Sequence, residues 1–378
     1  MENKKGKLGS RLAGSEAFLS VAASLICIVI GLLLGLVVLA IINAEHAFGD
    51  GLLVILKSGF KSPRNMGTVL ANAAPLIMTG LSVGFAFKTG LFNIGAAGQY
   101  TLGAFGALYC AIVLQWPWYL CLAAMIFGAL WGALPGIFKA YLNINEVITA
   151  IMFNWIGLYM VNDIMYGKGK SPMYDLASTK TYSLRKAAPQ AMIPSLGMSE
   201  LFGKLQSVTI AIFIAIFFAI IVYIILNKTA FGYELRACGF NKNAARYAGI
   251  NEKRNIILAM MISGALAGVG AGLYYLSTVA EWNPQVSTAL PAMGFNGIST
   301  ALLACSNPIG TIFSSLFISY ITVGGTKLST QYYTKEIADV ITALIIYLCA
   351  FSLLFKNKIR ALLVGKTKRV SVGKGGDD

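Results

Sequence analysis

The most constraining feature of this chain is the length of its apolar runs. Residues 18–42 and 206–227 contain no charged side chain. A helix needs about 20 such residues to cross ~30 Å of hydrocarbon, so runs of this length fit membrane spans rather than the helices of a water-soluble core. A span must satisfy its own backbone hydrogen bonds, which a helix does and an open strand cannot. Barrel strands would alternate apolar with polar positions, and these runs do not. The chain is 57% hydrophobic and 12% charged, with mean hydropathy +0.71, far from a soluble composition. The expected fold is therefore an all-α polytopic integral membrane protein of about ten transmembrane helices. They are expected at 18–42, 68–87, 91–114, 118–141, 145–166, 206–227, 256–279, 288–304, 308–326 and 336–355. Gly, Pro and Asn interrupt the third and the eighth. Residues 1–17 are basic and no small-residue cleavage pattern follows, so the first run is expected to stay as a helix rather than act as a signal peptide.

Basic residues set the orientation. With the N terminus inside, 19 of the 30 Lys and Arg fall on the cytoplasmic side and 11 on the other. That distribution predicts cytoplasmic N and C termini, with the basic segment 167–205 as an outer loop that departs from the trend. It also accounts for the net charge of +15 through membrane flanks and anionic lipid, without nucleic acid. The six cysteines (Cys27, Cys110, Cys121, Cys238, Cys305 and Cys349) form no CxxC pair, and His46 is the only histidine. Neither a metal centre nor a nucleophile–base constellation is expected, which leaves an intramembrane enzyme without chemistry.

Glycine patterns mark helix contacts. Gly128, Gly132 and Gly136 recur every four residues, as do Gly264, Gly268 and Gly272, with Gly31 and Gly35 as a weaker pair. Each set makes a smooth stripe on which another helix can approach. The Gly268–Gly272 run lacks the preceding strand of a dinucleotide loop. Near the C terminus, Gly365-Lys366-Thr367 lacks the first glycine of a phosphate loop, because position 360 is Arg. No ATP site is expected here.

Polar residues inside spans are costly in lipid and so point to buried contacts or a pathway. Asn93 and Gln99 lie in the glycine-rich start of the third span, Glu146 and Asn154 in the fifth, and Asn296 between glycines in the eighth. These are the candidate translocation residues. Asn145 and Glu146 also suit ordinary capping of a helix start, and any one amide could equally be interhelical glue. Amides with neighbouring aromatics would suit an uncharged polar solute better than an inorganic ion. Between the sixth and seventh spans, residues 228–255 carry six Lys or Arg against Glu234 and Glu252. Within it, Asn243–Gly249 reads as a short helix with an Asn cap and a Gly stop.

Three stretches occur in order: Gly90–Phe105 (GLFNIGAAGQYTLGAF), Asn145–Ile148 (NEVI) with Asn154, and Gly239–Asn251 (GFNKNAARYAGIN). Together they resemble the permease subunits of binding-protein-dependent ABC importers for simple sugars, nucleosides and branched-chain amino acids. The likeness covers roughly 66–355 and is nearest the larger permease of nucleoside-type importers. It implies an ABC importer permease domain at 66–355, preceded by a leading helix and outer loop at 18–65 and followed by a basic cytoplasmic tail at 356–378. It implies a transport subunit and not an enzyme, with no cofactor on this chain and with ATP and Mg bound by a partner ATPase. The implied partners are that cytoplasmic ATPase, a second related permease, an extracytoplasmic solute-binding protein and the lipid of a bacterial cell membrane. Carried onto this chain, Asn243, Ala244, Ala245, Arg246, Ala248 and Gly249 become the helix that couples to the ATPase, with the three alanines as its packing face and Arg246 as a charged contact. A ribose-like sugar is the alternative solute. An ion-coupled secondary transporter is the rival class, but Asp163, Glu281, Glu336 and Asp339 all lie near expected span ends.

Overall fold

The computed structural model describes residues 16–166, 171–283, 289–328, 332–334 and 336–351, with positions 355, 357, 358 and 361 beyond them. The expected basic N-terminal segment and most of the basic tail lie outside the described residues. The chain is helical, with one antiparallel pair of strands among the described residues, β1 (Tyr174–Asp175) and β2 (Lys180–Thr181). The principal helices are α1 (Glu16–Ile42), α2 (Pro63–Lys88), α3 (Ala96–Ile112), α4 (Met125–Leu142) and α5 (Glu146–Tyr166). They continue as α6 (Ala211–Lys228), α7 (Ala230–Phe240), α8 (Lys242–Tyr247) and α9 (Glu252–Leu276), then α10 (Ala292–Leu303), α11 (Pro308–Gly325) and α12 (Glu336–Ala350).

Among the described residues, seven helices are long and apolar enough to cross a membrane: α1, α2, α4 with the turns before it, α5, α6, α9 and α11. The other three expected spans correspond to shorter helices, α3 with 17 residues, α10 with 12 and α12 with 15. The third span begins later than its apolar run because residues 91–95 are not helical. Gly90 there takes φ +75°, a left-handed conformation that favours glycine.

The chain divides into two compact units. One comprises Met1–Lys57, Leu302–Cys305 and Gly324–Asp378. In it α1 lies against α12, and the glycine pair of α1 marks the contact. A Cβ on Gly31 would stand 2.8 Å from Ile345 Cα, and one on Gly35 2.9 Å from Ile341 Cγ2. Beyond α1, His46 bonds Asp50 at 2.6 Å and stacks on Tyr332, while the Tyr333 hydroxyl donates to the Asn43 carbonyl.

The other unit comprises Ser58–Ala301 and Ser306–Val323. Its centre is α9, flanked by α4, α3 and α2; α6 packs on α2, and α5 on α3. The two glycine stripes face one another. A Cβ on Gly128 would meet the carbonyl oxygen of Gly264, one on Gly132 that of Met260, and one on Gly264 the carbonyl oxygen of Gly128. Gly136 lies against Ile257 and Met260, and Gly268 against Met125 and Gly128. Gly272 continues the line towards Leu122. From the other side, Gly103 of α3 sets its backbone against Gly268. Three helices therefore meet backbone to backbone along one line, a distance that any larger residue would widen.

The loops sort to two ends of this unit. At one end the chain after α2 meets α7, where Gly90 touches Gly239, and Lys253 of α9 sits over the Tyr141 ring at 4.9 Å. At the other end Gly203 approaches Arg64, Ile193 N donates to Leu276 O, and Thr181 N donates to Trp282 O. The first end gathers the segments around Lys88, Lys139 and 228–255. The second gathers Arg64 with the 171–205 part of the long loop.

Replacing Gly128 by Val should part α4 from α9, at a cost of about 1–3 kcal/mol for overpacking. Thermal unfolding in detergent should fall clearly below wild type. Gly49→Ala, where nothing lies within 4 Å of the added carbon, should melt with the wild type. Equal melting of Gly128→Val and wild type would contradict the close contact.

Candidate functional site

The irregular backbone before α3 is held by amides. Asn93 is fully buried; its Nδ2 donates to Gln99 Oε1 at 2.7 Å and to Ser263 Oγ at 2.6 Å. Its Oδ1 accepts from Gly95 N at 3.0 Å and from Gln99 Nε2 at 3.2 Å. Ser263 of α9 in turn donates to the Ser82 carbonyl of α2 at 2.7 Å. Asn154 of α5 closes the other side, accepting from Gly98 N at 2.8 Å and donating to Ile94 O at 3.0 Å. Gln99 and Asn154 are each 1% exposed. Helix α3 starts inside the protein, where its first N–H groups have no water to meet. Asn93 and Asn154 supply part of what water would otherwise give. Gly132 of the α4–α9 seam lies beside Gln99, where an added Cβ would stand 3.2 Å from Nε2. The seam and the amide cluster thus share a wall.

The remaining expected pathway residues lie elsewhere. Glu146 opens α5 and pairs with Lys139 at 2.9 Å, while Asn145 Oδ1 accepts from Val147 N. It belongs to the α4–α5 turn, apart from the buried amides. Asn296 of α10 is half-buried. Its neighbours Gly294 and Gly297 press on Ala97 of α3 and Thr79 of α2, so α10 lies across the start of α3. Ser82 and Ser263, which complete the amide cluster, were not singled out from sequence. Two lone serines in glycine-rich helices carry no pattern that would have marked them.

The polar segment 228–255 folds as α7 and α8. Asn241, and not Asn243, caps α8: its Oδ1 accepts from Asn243 N and Ala244 N at 3.0 and 3.1 Å. Asn243 is already inside the helix, because the cap precedes the first helical N–H groups by two or three positions. Gly249 takes φ +80° just past the end, a left-handed stop. Ala245 is buried against its own chain, whereas Ala244, Arg246, Tyr247 and Ala248 are exposed. Phe240 and Tyr247 are 90% and 94% exposed, large apolar groups left uncovered in a basic segment. At the root of α7, Asn255 donates to Glu234 and contacts Cys238 Sγ. Burial pushes the Cys238 thiol up, the Asn255 hydrogen bond opposes this, and Glu252 and Glu234 add to the rise, so it stays protonated at neutral pH. Among the described residues no cluster of His, Cys, Asp or Glu could hold a metal ion.

The polytopic helical character agrees with what comparison with known proteins finds. Residues 65–350 match the family described as branched-chain amino acid transport system, permease component. The chain belongs to this family. The permease is 33% identical to the nucleoside ABC transporter permease protein NupB of Lactococcus lactis, over 94% of this chain and 97% of that one. It is 31% identical to the guanosine ABC transporter permease protein NupP of Bacillus subtilis, over 91% and 96%. With the glucose ABC transporter permease protein TsgB13 of Haloferax volcanii it shares 27% over 90% of both chains. No solved structure matches it. The permease is thus a multi-pass membrane protein and a transport subunit of the ABC importer type.

The amide cluster makes a sharp prediction at Asn154. An Asp there keeps an acceptor for Gly98 N but sets a carboxylate oxygen against the Ile94 carbonyl. Asn154→Asp and Asn154→Leu should both lower the melting temperature, by the equivalent of about 1–3 kcal/mol for each stranded buried group. An Asn154→Leu permease that melts like wild type would show that these bonds do not hold the helix break.

Proposed function

We propose that this permease carries nucleosides inward across a bacterial cytoplasmic membrane. The observation that carries this reading is its near full-length similarity to NupB and NupP. The solute class is uncharged, aromatic and rich in hydrogen-bonding groups. The described interior has the matching character, since its buried polar groups are amides and hydroxyls rather than charged rings. The glucose permease relative keeps a simple sugar as the second reading.

In this reading residues 66–355 form the translocation domain, the termini are cytoplasmic, and 228–255 faces the cytoplasm. A separate ATPase subunit binds ATP and Mg and docks on α7 and α8. Exposed Phe240 and Tyr247 supply apolar anchors and Arg246 a charged contact, with Asn243, Ala244, Ala248 and Gly249 around them and Ala245 fastening the segment to its own chain. Aromatic and Arg side chains are the residue types that dominate protein interfaces. A second, related permease completes the pathway, and an extracytoplasmic binding protein delivers the solute.

The coupling route follows from contacts. Gly239 of α7 lies on Gly90, three residues before Asn93. A displacement of the docked loop therefore acts on the helix break, the amide cluster and the α4–α9 seam beside Gln99. Asn93, Gln99 and Asn154 shape the pathway wall, with Asn296 on the helix laid across it and Glu146 at the cytoplasmic turn. ATP at the remote subunit supplies the difference in free energy between the two states, and the permease supplies the element that has two states.

Three measurements test this. Cells lacking the chain should lose uptake of radiolabelled guanosine and uridine and keep that of ribose at constant ATP. Loss of ribose uptake alone would transfer the assignment to sugar. Collapse of ion gradients with ATP maintained should leave uptake in place. Separately, Tyr247→Asp should leave the permease in the membrane but cut ATPase co-purification and uptake at least tenfold, as expected for loss of an interface anchor. Full uptake by this variant would remove α8 from the docking surface.

A further inference from the structure

The long outer loop is built as a cap. Thr181 of β2 is tied to the Trp282 carbonyl through its N–H at 3.0 Å, and Ile193 N donates to Leu276 O. Gln190 Nε2 bonds Gln115 Oε1 at 2.6 Å. Between this cap and the end of α9 lies a cavity of about 470 Å³, open on one side. Cavities of a few hundred Å³ are the size that holds a small organic ligand.

The lining is chemically mixed. Tyr182 and Tyr275 provide aromatic rings, Lys180 and Arg185 donors, Glu281 an acceptor, and Asn283 an amide. Lys180 and Glu281 are 3.9 Å apart, too far for a good hydrogen bond, so both retain capacity for a ligand. Among the described residues, Asn283 Oδ1 is buried without a hydrogen-bond partner. A buried polar atom left unpaired is costly, and a ligand donor would relieve it. Aromatic contacts lead inward. Trp282 meets Tyr275 at 5.7 Å between ring centroids, and Tyr275 meets Tyr100 at 6.3 Å. Tyr100 is buried, its hydroxyl has no partner among the described residues, and it follows Gln99 of the amide cluster.

We propose that this cavity is an outer binding site for a nucleoside, occupied before the solute enters the membrane part of the permease. It rests on the nucleoside reading above. An inorganic ion would call for lining of one sign, whereas two aromatic rings beside amide, carboxylate and cationic groups suit a planar base joined to a ribose. A base stacks on Tyr182 or Tyr275, its polar edge meets Asn283 and Arg185, and the ribose hydroxyls meet Glu281 and Lys180. The rings of Tyr275 and Tyr100 then mark the way to Gln99.

The test uses the assembled importer in lipid nanodiscs, without receptor and without ATP. Photolabelling with radioactive azidoguanosine should mark peptides from 171–185 or 275–283. Excess guanosine should suppress the label, and ribose should not. Tyr182→Ala should reduce labelling at low probe about tenfold, the loss expected for one stacking ring, while receptor affinity stays unchanged. Label confined to other peptides, or label that guanosine does not suppress, would overturn the site. So would wild-type labelling of Tyr182→Ala with weakened receptor binding, which would make the cap a receptor contact. Guanosine uptake by the wild type, measured in parallel, separates the two levels. With uptake present and no label in the cap, the nucleoside function stands and the outer site falls; with uptake absent, both fall.

Discussion

Everything in the larger unit depends on how closely α4 and α9 approach. Lipid offers apolar side chains no reason to leave it, so helices in a membrane associate through close packing and hydrogen bonding rather than through exclusion of water. Gly128, Gly132 and Gly264 bring backbone against backbone, and Gly103 lets α3 join at Gly268. This explains why α9 is central although its surface residues are small. A helix with bulky residues on every face could contact as many neighbours only from further away.

Close packing also permits irregular backbone at membrane depth. Residues 91–95 expose peptide groups that lipid could not satisfy, and they persist because protein surrounds them. Asn93 bridges its own turn to Gln99 and to Ser263 of α9, and Asn154 reaches in from α5. The bonds are short range and mutually dependent. Removing one amide strands partners on two helices, so the break is a fixed structure in one packing and a natural hinge when the packing changes. The same glycine seam that admits the break lies beside Gln99, so the two features share one wall.

How much of this could be read from residues alone varies with the physics. The long runs at 18–42 and 206–227 specify helices, because length and hydropathy leave no other solution in lipid. Stripes at 128–136 and 264–272 announce close contacts, because spacing by four is visible in the sequence. That the two stripes face one another is a tertiary fact that no spacing carries. Asn93, Gln99 and Asn154 stand out as polar residues in apolar surroundings, but Ser82 and Ser263 do not. The cap of α8 lies two positions before the Asn243 that the sequence suggests, because four asparagines, at 241, 243, 251 and 255, surround the short helix. Only geometry decides which one lies outside the first turn. Ala245 likewise cannot be told from Ala244 and Ala248 without knowing which way α8 rolls.

The two ends of the unit have opposite characters, and that asymmetry has mechanical meaning. At the end of α7 and α8 the contacts are glycine on glycine, with aromatic side chains left bare. Bare aromatics there suit the docking proposed above, and the Gly239–Gly90 contact joins that loop to the backbone before Asn93. At the other end the contacts are hydrogen bonds from a folded loop to the last turn of α9, around a cavity with aromatic walls. Stiffness at both ends with a seam of small residues between them suits a body that tilts rather than one that melts. A movement imposed at Gly239 reaches Gly90 and then Asn93 through bonded backbone, and α9 runs beside it to the cap. The same helix therefore runs between the face proposed to dock the ATPase and the face proposed to meet solute.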